Sequence, residues 1–126
     1  MEALEVFAAT TKDFTTEGGV DGESIVVRWK GSADLRAQEP LTQMLRGLHE
    51  EARRRRTREV RVDLTELEFM NSSCFKNVLF WINQVQELPT EARYGIRFLS
   101  NPTLHWQKRS LRALQAFAAE LVSVEG

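Results

Sequence analysis

The sequence is poor in the residues that build disulfide and zinc sites. Its 126 residues include one cysteine, Cys74, and two histidines, His49 and His105. A single thiol cannot form an internal disulfide, and one thiol with two distant imidazoles is too small a set for a structural zinc ion. This cysteine usage is typical of a reducing compartment, and we expect a cytoplasmic protein.

Signals for secretion, for a membrane span and for a polyanionic partner are lacking as well. The first residues, MEALEVFAATTKDF, contain neither a basic leader nor a long apolar stretch. We therefore expect neither a signal peptide nor a membrane-spanning helix. The formal net charge of -1 does not supply the positive field on which binding to nucleic acids or acidic membranes depends. We expect no nucleic-acid partner.

The motifs of common catalytic sites are also missing. The chain has no glycine-rich phosphate loop, no nucleophile elbow, no cluster with metal-ligand spacing and no pair of carboxylates that the pattern brings together. We expect a protein without a catalytic site, a cofactor or a metal ion of its own. Its function should then be to bind a partner.

The composition that is present is that of an ordinary globular domain. Hydrophobic residues make up 42% and charged residues 28% of the chain, which is unlike the usage of disordered or fibrous proteins. Domains most often contain about 100–150 residues. We expect residues 1–126 to form a single domain.

The hydrophobic pattern of the first part of the chain predicts strands. Residues 24–30 alternate apolar and polar side chains with the period of a half-buried strand. Gly18-Gly19 and Asp21-Gly22 indicate the turn before it. Short apolar patterns at residues 4–8 and 12–16 suggest one or two further strands.

A helix follows, with its apolar face spaced at i, i+3, i+4 and i+7. We expect it to begin near Glu39, because Pro40 fits the first turn. Arg53–Arg56 and Arg58 lie at its carboxyl end, where the helix dipole favours cations. The basic run is then a solvated helix end, with a binding patch as the alternative. The residues of the apolar face are Leu41, Met44, Leu45, Leu48 and Ala52.

Strands and helices alternate through the rest of the chain. Residues 60–64 form a strand, and Leu67 and Phe69 continue its apolar contacts after a short bend. Residues 94–100 form another strand, and Asn101-Pro102 opens the last helix, before a short strand at 121–124. The intervening helix has an apolar face of Phe75, Val78, Leu79, Ile82 and Val85 or Gln86, and the last helix one of Leu104, Leu111, Leu114, Phe117 and Ala118.

This order of elements defines an α/β fold. A β-rich start is followed by α, β, α, β, α and a final strand. Alternating strands and helices indicate crossover units. We expect a mixed β-sheet with helices packed against it, whose early strands are antiparallel.

The segment from Asn71 to Ser73 stands out because it begins the second helix. The unpaired amides and the positive end of the helix dipole there favour an anionic group such as phosphate. A phosphoryl group on serine adds about 1.5 to 2 negative charges and could abolish docking of a partner fitted to the neutral hydroxyl. The alternative is that Asn71, Ser72 or Ser73 only caps the helix.

Asp63-Leu64-Thr65 is followed, after a spacer, by Phe69-Met70-Asn71-Ser72-Ser73. This arrangement is similar to the D-L-S/T, spacer, F-M-D-S-S-G-L pattern of the STAS family, the anti-sigma-factor antagonists. Gly31-Ser32-Ala33-Asp34 is similar to its G-x-x-D, which joins the early strand to the first helix. The resemblance extends over residues 24–124 and implies a STAS-like fold.

The resemblance also implies a function and a site. In that family the first serine of the motif is phosphorylated by a partner serine kinase that is also an anti-sigma factor, and the unphosphorylated antagonist binds the kinase and frees the sigma factor. The matching position is Ser72, with Ser73 as its competitor, and a phosphatase could reverse the step. The expected partner-binding residues are Asp34, Asn71, Ser72, Ser73, Cys74, Lys76 and Phe80.

The chain departs from the family pattern at two positions. Asn71 stands where the family has aspartate, and Cys74 where it has glycine. Asparagine can still cap a helix but carries no charge, so any role of that carboxylate in kinase docking is lost. The bulk of Cys74 suggests a divergent partner.

Other features leave alternatives open. Cys74 could be a redox sensor, because a thiol in a first helical turn can have a lowered pKa, or it could be a small buried side chain. Phe80 falls on the polar side of its helix and should be exposed. Residues 105–110 could bind a phosphate or a charged partner, or form a solvated face with Trp106 at the core edge. A small-ligand or nucleotide sensor on the same fold is the alternative function.

Overall fold

Seven strands form one mixed β-sheet in the computed structural model, which describes residues 2–126 of the chain. Three α-helices connect the later strands: α1 (Gln38–Arg54), α2 (Ser72–Gln86) and α3 (His105–Phe117). Short 3-10 turns lie at Glu5–Phe7, Leu35–Ala37 and Thr90–Ala92. The strands are β1 (Glu2–Ala3), β2 (Ala9–Thr10), β3 (Phe14–Asp21), β4 (Ser24–Ala33), β5 (Glu59–Met70), β6 (Gly95–Leu99) and β7 (Val122–Glu125).

The sheet is antiparallel at one side and parallel at the other. Its order is β1-β3-β4-β5-β6-β7, with β2 also paired to β3. β3 runs antiparallel to β1, β2 and β4, while β4, β5, β6 and β7 are parallel neighbours. Each crossover therefore adds the next strand on the same side, and right-handed crossovers of this kind place α1, α2 and α3 on one face. The expected α/β fold with a mixed sheet, antiparallel start and final strand is confirmed.

The two faces of the sheet differ in character. The covered face carries the core side chains of β4, among them Val27 and Trp29, both fully buried. The other face carries ion pairs across the strands, such as Arg28 with Asp63 at 3.2 Å. No helix among residues 2–126 has both the length and the apolarity needed to cross a bilayer.

Two irregularities bend β5 where it runs beside β4. Between the pairs Arg28–Asp63 and Lys30–Glu66, β4 advances by two residues and β5 by three. An extra residue of this kind is a β-bulge, which shifts the phase of the side chains. Leu64 and Leu67 are consequently both buried although they are three residues apart. The sequence predicted a short bend after residues 60–64, but the structure has one continuous strand with bulges there.

Several predicted details of the amino-terminal part were wrong. Residues 4–8 contain a 3-10 turn rather than a strand, because Phe7 is buried and its carbonyl accepts a 2.8 Å hydrogen bond from the Thr16 hydroxyl. Gly18-Gly19 lies inside β3, and only Asp21-Gly22 forms the turn. A Cβ at Gly19 would overlap the backbone of Glu2, so glycine there lets β1 pair with β3.

The start of the last helix also differs from the prediction. α3 begins at His105, because the Asn101 side chain accepts bonds from the amide and hydroxyl of Thr103 at 3.0 and 2.7 Å and closes a local turn. Two aromatic residues expected in the core are exposed, Phe69 at 48% and Phe117 at 47%. In α2 the fully buried aromatic is Trp81.

Candidate functional site

Ser72 is the first residue of α2 and is exposed. The preceding Asn71 is the cap, since its side-chain oxygen accepts a 2.9 Å hydrogen bond from the Cys74 amide. The Asn71 amide in turn donates to the Ala33 carbonyl at 2.9 Å, which ties the start of α2 to the end of β4. Because Asn71 is the cap, Ser72 is not needed for that role.

The first turn of α2 offers a favourable setting for an anion. Amides in a first helical turn lack intrahelical acceptors and lie at the positive end of the dipole. Lys76 is exposed one turn further, on the same side of the helix as Ser72. The turn contains no acidic side chain. The first-turn amides and Lys76 would therefore favour a phosphoryl group on Ser72. Ser73 is half-buried.

Asp34 lies next to the first turn of α2 and directly precedes the 3-10 turn Leu35–Ala37. One of its carboxylate oxygens accepts from the Arg36 amide at 2.9 Å, and the other lies 2.7 Å from the Arg36 guanidinium. The Arg36 guanidinium holds the pKa of Asp34 below its usual value. The carbonyl oxygen of Asp34 is 3.5 Å from the Cys74 sulfur. The structure thus brings together Asp34 and the start of α2.

Cys74 does not belong to the exposed surface. Its side chain is fully buried, so the expected contribution of Cys74 to partner binding is wrong. Burial, with a smaller contribution from the charge of Asp34, raises the pKa of the thiol to about 11. A buried thiol with a raised pKa is unreactive, which favours the packing interpretation over the redox sensor.

Three large apolar side chains, in α2 and in the segments next to Asp34 and Asn71, are exposed. Phe80, two turns beyond Ser72, is 64% exposed and borders a groove of about 280 Å³ between α1 and α2, beside Arg46. Leu35, 67% exposed, directly follows Asp34, and Phe69 lies two residues before Asn71. Exposed aromatic residues of this kind are frequent anchors of interfaces. The sequence indicated Phe80, but neither Leu35 nor the exposure of Phe69.

Residues 105–110 divide between surface and core. Lys108 and Arg109 are exposed, whereas Gln107 is fully buried. The Gln107 amide donates to the carbonyls of Leu64 and Leu67 at 2.7 and 2.9 Å. Gln107 therefore satisfies carbonyl groups next to the β5 bulge, a role that sequence reasoning missed.

A buried polar chain connects α1, α2 and the residue before β6. Trp81 Nε1 donates to the Tyr94 hydroxyl at 2.9 Å, and that hydroxyl lies 2.5 Å from Nδ1 of His49. Burial, with a smaller contribution from Arg53, lowers the pKa of His49. These buried hydrogen bonds hold α1 and α2 together, and the sequence did not predict them.

The order and pairing of the strands and helices are similar to those of a solved protein structure. A crystal structure of an anti-sigma factor antagonist from Mycobacterium paratuberculosis has a similar fold, with a TM-score of 0.66 over 91% of this chain and 89% of that chain. The two sequences are 16% identical, so the likeness concerns the fold. No protein-family model and no curated protein sequence matches the chain.

Proposed function

We propose that the protein is a phosphorylation-controlled protein-binding module of the cytoplasm, of the anti-sigma-factor-antagonist type, with Ser72 as the phospho-acceptor. The observation that carries this proposal is the exposure of Ser72 at the first position of α2, with the capping role taken by Asn71. The fold shared with an anti-sigma factor antagonist supports the general kind of role.

The proposed chemical step is a phosphoryl transfer by the partner. A serine kinase moves the γ-phosphoryl group of ATP to Oγ of Ser72, the hydroxyl loses its proton and ADP leaves. The product carries about 1.5 to 2 negative charges, which the amides of the first turn and Lys76 stabilise. A phosphatase restores the hydroxyl by hydrolysis.

The docking surface in this proposal combines polar and apolar groups. Asp34, Asn71, Ser72, Ser73, Lys76 and Phe80 form it, and the structure adds Leu35 and Phe69. The unmodified surface binds an anti-sigma-type kinase, with Phe80 and its apolar neighbours as anchors. Phosphate at Ser72 places charge that must be desolvated in the middle of that contact, and docking is lost.

The site differs from the family pattern in its charge. Asn71 replaces the family aspartate, so a phosphate on Ser72 experiences no repulsion from the cap. The phosphorylated state is accordingly less destabilised by repulsion between like charges than it would be beside an aspartate. A kinase that requires that carboxylate would not act here. We propose a partner kinase that recognises this site with the uncharged Asn71 at the cap position.

The proposal is tested by incubation with ATP and the serine kinase of the protein's own regulatory system. Intact mass and peptide mapping should show one phosphoryl group on the wild type, none on Ser72→Ala and one on Ser73→Ala. Equal modification of wild type and Ser72→Ala, or no modification of either, would refute the assignment.

The small-ligand sensor has one feature in its favour. A cleft of about 440 Å³ lies between the amino-terminal segment and the open face of the sheet, lined by Leu4, Glu17, Val26 and Arg28 among others. A ligand bound there would raise the melting temperature as its concentration rises. Arg28→Ala should abolish that shift, whereas Ser72→Ala should not.

A further inference from the structure

A cavity of about 360 Å³ lies at the carboxyl ends of β6 and β7, beside α3. It is lined by residues that follow β6, among them Ser100 and Pro102, and by Val124 in β7 and Gly126 after it. In open α/β sheets, ligands bind outside the carboxyl ends of the strands, and cavities of about 300–1,000 Å³ take small molecules. The position and the size of this cavity are therefore those of a small-molecule site.

Two cations of α3 line the cavity. Lys108 and Arg112 are both exposed and lie one turn apart on the same side of the helix, where like charges repel each other. Among residues 2–126 neither forms an ion pair with a carboxylate, and α3 itself contains no acidic residue. An anion bound between the two side chains would relieve this repulsion.

The helix dipole does not explain the position of these cations. Cations are favoured near the carboxyl end of a helix and disfavoured near its amino end. Arg53 and Arg54 follow this rule in the last turn of α1. Lys108, by contrast, is the fourth residue of α3, and the last turn of α3 contains no basic residue. The cation at Lys108 therefore lies where the helix itself disfavours it, beside a cavity that has room for a compensating charge.

The wall also includes a third donor and three apolar side chains. Gln115 lines the cavity one turn after Arg112, and its side-chain amide can donate to an anion. Pro102, Leu111 and Val124 supply apolar surface. No aspartate or glutamate side chain of residues 2–126 lines the cavity. The wall therefore suits a ligand that has a negatively charged group and an apolar body.

We propose that this cavity binds a small phosphate monoester whose organic part is apolar. The two cations and Gln115 donate to the phosphate oxygens, and the three apolar side chains pack against the organic part. A phosphate monoester carries about 1.5 to 2 negative charges at neutral pH, which matches the two cations. The site shares no residue with the docking surface around Ser72, so this proposal does not depend on the proposed function.

The test is a titration of the full chain with phenyl phosphate at neutral pH, followed by two-dimensional NMR of the backbone amides. The expected result is saturable binding with chemical-shift changes centred on residues 100–102, 108–115 and 124–126. Phenyl sulfate has a similar shape but a single charge, and inorganic phosphate lacks the apolar body, so each should bind at least about tenfold more weakly. No binding of phenyl phosphate, equal affinity for the three compounds, or changes centred on the basic residues 53–58 would overturn the proposal.

Two variants and a matched control locate the site. Lys108→Gln and Arg112→Gln should each weaken the binding of phenyl phosphate at least about fivefold, with little change in the melting temperature because both side chains are exposed. Arg109→Gln is the control, because Arg109 is an exposed cation of the same helix that does not line the cavity. It should change the affinity by less than about twofold. Equal losses in all three variants, or a loss in none, would contradict the assignment.

Discussion

Trp81 donates a 2.9 Å hydrogen bond from its indole nitrogen to the hydroxyl of Tyr94. Both side chains are almost fully buried, and the same hydroxyl lies 2.5 Å from Nδ1 of His49. One oxygen atom therefore serves two buried nitrogen groups on two different helices. This arrangement makes Tyr94 a structural centre of the α1–α2 pair.

Replacement of Tyr94 by phenylalanine should be strongly destabilising. The change removes only the hydroxyl, but it leaves Trp81 Nε1 and His49 Nδ1 buried without partners, at about 2–4 kcal/mol in total. Urea denaturation monitored by circular dichroism measures this loss. A loss below about 0.5 kcal/mol, the range of ordinary surface substitutions, would show that the hydroxyl is not the shared partner.

Stability should fall as the solution becomes mildly acidic. Burial lowers the pKa of His49 in the folded protein, while its unfolded value is about 6.5. The unfolded chain then binds more protons below that value, so the stabilisation is complete above about pH 6.5 and is lost as the pH falls through the lowered pKa of His49. Denaturation curves from pH 8 to 5 measure the slope, and His49→Gln should flatten it. An unchanged slope in His49→Gln would assign the effect to other groups.

Arg56 adopts a backbone conformation that favours glycine. Its φ is 53°, and the Thr57 amide donates to the Ala52 carbonyl at 2.9 Å while the Arg56 amide donates to Arg53 at 3.2 Å. These two bonds form a Schellman motif, in which glycine is the usual residue at the left-handed position. Arginine there is strained.

Arg56→Gly should therefore stabilise the protein by about 0.5–1 kcal/mol. Arg54→Gly is the matched control, because Arg54 lies in the last turn of α1, where glycine costs about 1 kcal/mol. Thermal denaturation should move the two melting temperatures in opposite directions. A decrease for both variants would contradict the cap assignment.

Gln107→Leu should destabilise the protein by about 2–4 kcal/mol, since the carbonyls of Leu64 and Leu67 and the Asn101 amide lose their partner. Arg109→Leu, an exposed change on the same helix, should alter the stability by less than about 0.5 kcal/mol. Equal effects in chemical denaturation would mean that Gln107 does not hold the β5 bulge.

The sequence was sufficient for the features that depend on local pattern. The order of strands and helices, the start of α2 after Asn71 and the exposure of Phe80 all follow from apolar periodicity and capping preferences. Each of these features depends only on residues that are close to one another in the sequence. They were therefore predictable.

Features set by distant contacts were not predictable. Gln107 is buried because a bulge in β5, more than thirty residues earlier, presents carbonyls to it. A second register shift, between Leu67 and Phe69, explains why Phe69 is exposed although Leu67 is buried. Gly18-Gly19 is typical of a turn by composition, yet pairing with β1 makes it part of a strand.

The proposed function depends on charge at Ser72 controlling partner binding, and an affinity measurement tests this most directly. Calorimetry should compare the unmodified protein with the protein phosphorylated at Ser72, each titrated into the serine kinase of its regulatory system. We predict binding at least about tenfold weaker after phosphorylation, a difference of about 1.4 kcal/mol. Equal affinity of the two forms would contradict the account.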